Sequence, residues 1–194
     1  MLALREMSFS QLVGLDLSGK LLRVAARNLA EPNGVRLVRA DMRAIPYRHY
    51  FATVLSLFTS FGYFDRDEEN QAVFAAVYRS LRPGGTFLID YMNRDYVISH
   101  LVERDDQTLP DRHVQSVRCL ADNCRRVEKT TTVLTRAGAR SEFHESVRLY
   151  SMAEMVAMLS TAGFIHIQCY GSLNGQGLGP ESARLIMIGE RKDE

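Results

Sequence analysis

The sequence lacks an excess of charge of either sign. Its 194 residues carry 24 Lys and Arg against 23 Asp and Glu, which leaves a net charge of +1. Proteins that bind nucleic acid or anionic membranes usually concentrate positive charge on one face. The balance gives no electrostatic argument for either partner, so we expect neither nucleic acid nor membrane binding.

Long apolar runs and cysteine frameworks are missing as well. No stretch approaches the roughly 20 apolar residues that span a bilayer, and charge follows Met1 too early for a secretory signal. The three cysteines, Cys119, Cys124 and Cys169, are odd in number and lack the spacing of a metal site. A Cys119–Cys124 bridge, or a site shared with His113, is the weaker alternative to free thiols. We therefore predict a cytoplasmic protein without a metal.

Short apolar runs alternate with amphipathic stretches over most of the chain. Helical spacing follows Ser18, and the pairs Asp65/Glu68 and Ser151/Glu154 predict capping boxes at two further helices. Apolar runs that predict strands lie at residues 12–16, 35–40, 51–58, 86–90, 164–170 and 183–189. Strands that alternate with helices form parallel sheets with right-handed crossovers. We predict an α/β, Rossmann-like, mainly parallel sheet over residues 1–94 and 151–194.

Residues 95–150 break this alternation. Positions 95–110 are mixed and polar, which predicts a short helix and a loop. Three Val- and Thr-rich stretches follow at 112–120, 125–135 and 141–150, with turn signals between them. We predict a small antiparallel three-stranded appendage on the substrate side of the ligand crevice. In its last strand, Glu145 interrupts an otherwise apolar face.

The stretch from Leu12 to Ser18 ends an apolar run in a carboxylate, Asp16. In a doubly wound sheet such an acid lies at the carboxyl end of its strand, in the crevice where ligands bind. A carboxylate accepts hydrogen bonds from two vicinal hydroxyls, so Asp16 is a candidate for binding a ribose. Capping of the following helix is the alternative role. A second strand ends the same way at Asp41, and the crossover rule predicts both acids at one edge.

Several motifs together resemble those of one family. They occur in the order Val13-Gly14-Leu15-Asp16-Leu17-Ser18, Val38-Arg39-Ala40-Asp41-Met42, Leu81-Arg82-Pro83-Gly84-Gly85, Arg148-Leu149-Tyr150 and Ala162-Gly163-Phe164. With them the chain resembles a class I S-adenosylmethionine-dependent methyltransferase of the group that modifies small molecules. The resemblance runs over the whole chain.

The resemblance implies S-adenosylmethionine as the cofactor and assigns residues to its adenosine half. Asp16 would bind the ribose hydroxyls, and Leu17 would pack on the adenine. Asp41 would accept a hydrogen bond from the adenine amino group, and the Met42 amide would donate to the ring. For Asp41, an ordinary loop acid is the alternative.

The resemblance also implies residues around the reacting end of the cofactor. Leu57 and Phe58 would lie near its methionine part. The aromatic loop with Phe61, Tyr63 and Phe64 would line the crevice between cofactor and substrate. An aromatic cluster that merely covers the end of the sheet is the alternative for this loop.

Candidate substrate residues fall at strand ends or on the appendage, where a salt-bridged or capped surface is the alternative. They are Tyr91, Asn93, Arg94, Arg148 and Tyr150. A base is needed only where the acceptor must lose a proton. His144 is the candidate catalytic residue and His113 a second one. A surface histidine without a catalytic role is the alternative for both.

One part of the family pattern is absent. The family begins with a strand, a glycine-rich turn and a helix, and Met1 to Met7 looks like the tail of that helix. The chain thus resembles an N-terminally truncated member whose missing strand would lie centrally, between residues 12–16 and 51–58. We expect these two strands to pair directly, or a homodimer or partner segment to supply a strand. We also expect the chain by itself to bind the cofactor weakly or not at all.

These inferences predict S-adenosylmethionine-dependent methyl transfer to an oxygen or nitrogen of a small molecule. The leaving group is neutral and good, so holding the nucleophile in line with the methyl carbon would supply much of the rate. The alternative is a truncated or degenerate relative without cofactor binding. Such a protein would act as a binding or regulatory module, or would need a partner chain.

Overall fold

The computed structural model describes Leu4, Glu6, Met7, Phe9 and residues 11–29 and 34–193. Its strands are β1 (Leu12–Asp16), β2 (Val35–Arg39), β3 (Phe51–Ser56), β4 (Leu81–Met92), β5 (Arg104–Thr108), β6 (Arg112–Ala121), β7 (Arg126–Thr135), β8 (Arg140–Arg148), β9 (Phe164–Tyr170) and β10 (Arg184–Arg191). Its α-helices with described bounds are α1 (Gly19–Asn28), α2 (Asp67–Ser80), α3 (Arg94–Ser99) and α4 (Met152–Ala162), and a 3-10 helix spans Met42–Ala44.

The α/β part of the molecule has mixed strand pairing. β1 pairs in parallel with β2, and β3 pairs in parallel with β4, as the alternation of strands and helices predicts. β10 lies between β4 and β9 and runs antiparallel to both. β3, β4 and β9 thus run in one direction, so the prediction of a mainly parallel sheet is confirmed for the strand directions, with β10 as the exception. The chain between β9 and β10 contains no helix, and a parallel return needs a long crossover, so β10 reverses direction.

β1 and β3 face each other across a gap. Paired strands lie about 4.8 Å apart, but here clefts of about 810 and 430 Å³ are lined by residues of both strands. Within the described residues β1 pairs with β2 alone and β3 with β4 alone. Direct pairing of β1 with β3, one of the two expected outcomes, is therefore wrong. The facing edges keep backbone groups that have no strand partner, so the sheet is open at this point.

A separate antiparallel sheet follows in the order β5-β6-β7-β8. The three predicted strands of the appendage correspond to β6, β7 and β8. The predicted three-stranded appendage has four strands, because Arg104–Thr108, expected to be loop, pairs with β6. This segment is exposed throughout, so it shows none of the apolar alternation from which strands are predicted.

The apolar core joins the β3-β4-β10-β9 sheet to helices α2 and α4. The rings of Phe61, Phe74, Phe87 and Phe164 follow one another with centroid distances of 4.5, 6.0 and 5.6 Å. Buried aromatic rings contribute large apolar areas to a core. Because Phe61 belongs to the loop after β3, this packing anchors that loop to the sheet.

The two predicted capping boxes have different outcomes. At the start of α4, Ser151 Oγ accepts the Glu154 N–H at 3.2 Å and Glu154 accepts the Ser151 N–H at 2.7 Å, so this box is confirmed. The box predicted for α2 is wrong. This helix begins at Asp67 after Arg66, which makes no side-chain capping bond. Its acidic first turn interacts favourably with the helix dipole instead.

Two further expectations concern the N-terminal stretch and membranes. Of the helical tail predicted over Met1–Met7, Leu4 and Glu6 are helical, whereas residues 1–3 and 5 lie outside the described ones. In the part of the chain that the structure describes, no helix is long and apolar enough to cross a membrane.

Candidate functional site

Two carboxylates lie at one edge of the β1–β2 pair. Asp16 ends β1 opposite Arg39, the last residue of β2, and Ala40 donates its N–H to the Asp16 carbonyl at 3.2 Å. Asp41 follows directly. The prediction that both acids lie at the carboxyl ends of neighbouring parallel strands is therefore confirmed. This is the edge at which open α/β sheets bind ligands.

Asp16 is half-buried and uses one carboxylate oxygen within the fold. Its Oδ1 accepts the Ser18 N–H at 2.7 Å, and Ser18 caps α1 by accepting the Leu21 N–H at 3.2 Å. Among the described residues, Oδ2 accepts no hydrogen bond. The capping role and a ligand role are compatible, because Oδ2 can still accept from a hydroxyl. The neighbouring Leu17 is 61% exposed and offers an apolar surface to a bound ring.

Asp41 begins the 3-10 helix and is held by Arg43. The Arg43 backbone N–H, Nε and Nη2 donate to its carboxylate at 2.9, 3.1 and 2.6 Å. The Arg43 side-chain hydrogen bonds, above all, hold the pKa of the Asp41 carboxyl below its ordinary value. Arg43 also donates to Glu69 at 2.5 Å and lies over the Phe64 ring. A ligand at Asp41 would share the carboxylate with Arg43. The Met42 N–H has no acceptor among the described residues and is therefore open to a ligand.

The segment after β3 contains a strained turn. Phe58 and Thr59 both adopt left-handed conformations with φ of 57°, which costs non-glycine residues about 1–3 kcal/mol each. Phe58 is 82% exposed, whereas Thr59 is buried. Leu57 lines the smaller cleft beside β1, and Thr59 lines a different cavity together with Tyr63. This segment therefore separates two concave sites.

That cavity, which we call the α3 cavity, has a volume of about 550 Å³. It lies between the segment after β3, helix α3 and one face of the antiparallel sheet. Such a volume suits a small-molecule ligand. Its polar and aromatic lining includes Tyr63, Tyr96, His100, Arg118, Lys129 and Glu145.

Two ion pairs cross the sheet face of the α3 cavity. Lys129 Nζ lies 3.3 Å from Glu145, and Arg118 Nη2 donates to Asp105 at 2.8 Å. Burial, assisted by the charge of Glu145, raises the pKa of the Tyr63 phenol. The cavity therefore offers a neutral phenol and charges of both signs, which can bind hydroxyl, amino and anionic groups.

The structure does not bring the two candidate histidine bases to this cavity. Glu145 lines the cavity, and successive strand residues point to opposite faces, so His144 points away from it. His144 bonds the carboxylate of Glu142 at 3.1 Å instead. Arg118 of the same strand as His113 lines the cavity, and the two residues are five positions apart. Alternation along the strand therefore places His113 on the outer face, like His144. The assignment of His144 as the base is corrected for this reason.

Three of the predicted substrate residues belong to the buried framework. Tyr91 is fully buried and donates its hydroxyl to the Arg148 carbonyl. Arg148, 3% exposed, lies 3.3 Å from Asp67 and 3.0 Å from Glu154. The Tyr150 hydroxyl donates to Asp67 at 2.6 Å. These contacts join the antiparallel sheet to helices α2 and α4, so the three side chains serve the fold instead of a ligand.

The other predicted substrate residues divide between the fold and the cavity. Asn93 caps α3 through its side chain, and Arg94 lies 3.7 Å from Glu154. Phe61 is buried in the core. Of the predicted substrate residues, Tyr63 lines the α3 cavity.

Sequence reasoning missed most of the polar lining of the α3 cavity. The rings of Tyr96 and His100 stack at 4.2 Å on a helix whose position the sequence left vague. Asp105 lies in β5, which was not predicted. One signal was available: Glu145 interrupts the apolar face of its strand because it pairs with Lys129 at the cavity.

Comparison with known proteins relates the chain to methyltransferases. Residues 1–85 match the family model described as a methyltransferase domain. A dTDP-3-amino-3,4,6-trideoxy-alpha-D-glucopyranose N,N-dimethyltransferase from Streptomyces venezuelae is 29% identical over 178 residues, which cover 88% of this chain and 73% of the relative. The chain is thus similar to a methyltransferase domain over residues 1–85 and to an N,N-dimethyltransferase over most of its length.

Solved structures of methyltransferases share the fold of this chain. The CcbJ methyltransferase from Streptomyces caelestis matches with a TM-score of 0.83 at 16% identity, over 98% of this chain and 78% of that one. CalS10, an amino pentose methyltransferase from Micromonospora echinaspora solved with S-adenosylmethionine bound, matches with a TM-score of 0.69 at 23% identity, over 98% and 78%. The predicted α/β class and the predicted resemblance to methyltransferases are thus confirmed.

Proposed function

We propose that this methyltransferase transfers a methyl group to the amino nitrogen of a sugar-like small molecule. The α3 cavity carries the proposal, because it places aromatic and paired charged side chains next to the turn after β3. Hydroxyl, amino and phosphate groups of such an acceptor would find partners in Tyr63, Lys129 and Glu145. The relative from Streptomyces venezuelae is named as an N,N-dimethyltransferase of a dTDP-linked amino sugar, which supports nitrogen over oxygen.

The proposed cofactor site is the edge that carries Asp16 and Asp41. Its fit to the adenosine half rests on two groups without protein partners among the described residues, Asp16 Oδ2 for a ribose hydroxyl and the Met42 N–H for the adenine ring. Leu17 would cover the ring. Leu57 and Phe58, after β3, are the proposed contacts of the methionine part. When bound, S-adenosylmethionine supplies an electrophilic methyl group with a neutral thioether as the leaving group.

In the proposed reaction the acceptor nitrogen forms a bond to the methyl carbon, the carbon–sulfur bond breaks, and the amine gives up one proton. The amine attacks in its neutral form and would become a cation when it gains the methyl group, so a nearby carboxylate helps by accepting the proton. Glu145 and Asp105 are carboxylates at the α3 cavity. Holding the amine in line with the methyl carbon contributes the larger part of the rate.

We propose that the α/β core and the antiparallel sheet bind different molecules. Residues 1–94 and 151–194 would form the core that binds the cofactor. Residues 95–150 would cover the acceptor, because α3 and the inner face of β5–β8 line the α3 cavity. A cytoplasmic location stays a prediction.

An extended segment would complete the core between β1 and β3. The two facing edges lack strand partners within the described residues, and each buried, unsatisfied backbone group costs about 1–3 kcal/mol. Leu12, Val13 and Leu55 line the larger cleft, so an apolar strand fits it. A segment that precedes this sequence, a second copy of the chain and a segment of a partner are candidate occupants. Cofactor binding is expected to be weak while this place is empty.

The test is methyl transfer from labelled S-adenosylmethionine to a panel of free and dTDP-linked amino sugars and their hydroxyl counterparts. Label is expected in the amino sugars. Asp16→Asn is expected to weaken S-adenosylhomocysteine binding by about tenfold or more in calorimetry, because a charged acceptor is lost. Glu145→Gln is expected to lower kcat and leave that binding unchanged.

Asp111→Asn is the matched control, since it removes an exposed carboxylate that pairs with Arg112 away from both sites. Label in hydroxyl acceptors alone would contradict transfer to nitrogen. A wild-type protein that neither binds S-adenosylhomocysteine nor transfers label, with or without a partner chain, would be the degenerate relative that acts as a binding module.

A further inference from the structure

An ion pair between the buried Asp90 and the half-buried Arg184 holds the turn that separates the cleft beside β1 from the α3 cavity. Asp90, near the end of β4, is 3% exposed, and its Oδ1 accepts from Arg184 Nε at 2.6 Å. Its Oδ2 accepts the Phe58 N–H at 2.9 Å, and its carbonyl accepts the Thr59 N–H at 3.0 Å. Arg184 Nη2 donates to Thr59 Oγ1 at 3.1 Å. One carboxylate and one guanidinium thus bind both residues of the turn.

The turn needs such a constraint. Phe58 and Thr59 adopt positive φ in succession, a conformation in which the Cβ of an ordinary residue crowds its own backbone. Packing does not hold Phe58, whose side chain is largely exposed. The hydrogen bonds that Asp90 accepts and Arg184 donates therefore restrain the turn.

The turn lies where the methyl donor and the acceptor would meet. Leu57 and Ser60 line the cleft beside β1, and Thr59 lines the α3 cavity. Asp90 and Arg184 line neither of these sites, so they can act on a reaction there by way of the turn.

We infer that Asp90, together with Arg184, is a positioning residue for methyl transfer, because it fixes the Phe58–Thr59 turn between the cofactor and the acceptor. The inference rests on the proposed function. Misplacement of reacting groups by roughly 1 Å can cost about 100-fold in rate. Loss of Asp90 therefore acts mainly on kcat, because the adenosine contacts at the Asp16 edge stay in place and only the contact from Phe58 is loosened.

Asp90→Asn tests the inference, because it keeps the size of the side chain and removes its charge. We expect kcat to fall by about tenfold or more, with a much smaller rise in the Kd for S-adenosylhomocysteine, because its adenosine half binds at the Asp16 edge. Amide hydrogen exchange at Phe58 and Thr59 is expected to become faster. Adding Thr59→Gly should restore part of the lost kcat, because glycine adopts positive φ without strain. A merely structural role for Asp90 predicts no such rescue.

Leu159→Ala is the control for general destabilisation, since Leu159 is a buried residue of α4, an element separate from the turn. Its kcat is expected to stay at the wild-type value at a temperature where the variant is folded. Wild-type kcat and exchange in Asp90→Asn would overturn the inference, and so would an equal loss of kcat in Leu159→Ala. A wild-type protein without transferase activity would refute the proposed function instead, and unchanged exchange at Phe58 and Thr59 would then overturn the role of Asp90.

Discussion

Arg148 shows at the residue scale how a polar side chain that resembles a substrate contact can serve the fold. Its guanidinium lies between Asp67 and Glu154 and over the Tyr150 ring, 4.6 Å from the centroid. Burial alone would raise the pKa of the Asp67 carboxyl, but the Tyr150 hydrogen bond and the Arg148 charge outweigh it and lower the pKa. Burial would also raise the pKa of the Glu154 carboxyl, but the hydrogen bonds with Ser151 and the Arg148 charge outweigh burial and lower it.

We predict that Arg148→Met lowers the free energy of unfolding at pH 7 by about 1–3 kcal/mol, because two half-exposed carboxylates lose their partner. The pKa values of both carboxyls are lower in the folded protein than their ordinary values of 3.8 and 4.5. Their contribution is therefore complete above those values and is lost as the pH falls through the lower folded-state values. Urea unfolding at pH 7 and at pH 3 measures both effects.

Wild type should lose more stability than Arg148→Met between the two pH values. Arg140→Met, which removes an exposed partner of Glu142, is the control and should change stability by less than about 0.5 kcal/mol. Equal acid sensitivity of wild type and Arg148→Met would contradict the prediction.

At the scale of single elements, the helix starts separate local from long-range control. Helix α4 begins with reciprocal hydrogen bonds between Ser151 and Glu154, three positions apart. Helix α2 begins at Asp67, which Tyr150 binds from 83 positions away. A local capping motif therefore predicts the start of α4. The same kind of motif fails for α2, because contacts with distant residues position the start of that helix.

We predict that Ser151→Ala destabilises the protein by about 1 kcal/mol, because the Glu154 N–H loses its acceptor. The midpoint of urea unfolding should fall with an unchanged slope. Ser160→Ala, at an exposed site in the same helix, is the control and should leave the midpoint unchanged or raise it slightly. Equal shifts in the two variants would show that helix propensity, and not capping, decides the effect.

At the scale of the whole molecule, the two parts of the α/β region are buried to different degrees. Every residue of β1 is half-buried and α1 has no buried residue, whereas half of the residues of β4 and more than half of those of β10 are buried. Because β1 also lacks a partner on its β3 side among the described residues, the β1–β2 pair has the weaker support.

We predict that amides of β1 and β2 exchange with deuterium faster than those of β4 and β10, since regions with few buried contacts open at lower free energy. Mass spectrometry of peptic peptides measures this order. Pairing of an added strand or partner in the gap should slow exchange in β1 and β3 and leave β8 unchanged. Equal protection of β1 and β4 in the isolated chain would contradict this view of the fold.

The sequence by itself determined the features that contiguous residues encode. Apolar runs that end in acids placed Asp16 and Asp41 at one edge, and a three-residue capping motif marked the start of α4. Val- and Thr-rich stretches between turn signals located β6, β7 and β8. Such features depend on backbone geometry and neighbours within a few positions, so they can be predicted from the chain alone.

Tertiary structure decided what depends on distant partners. β5 is a strand because β6 pairs with it. β10 runs antiparallel to its neighbours β4 and β9, because no helix connects β9 to β10. The same contacts buried Arg148 in the framework and set Asp90 beneath the turn at Phe58. Burial and pairing across many positions leave no local period in the sequence, so only the folded chain shows which polar residues face a ligand and which hold the fold.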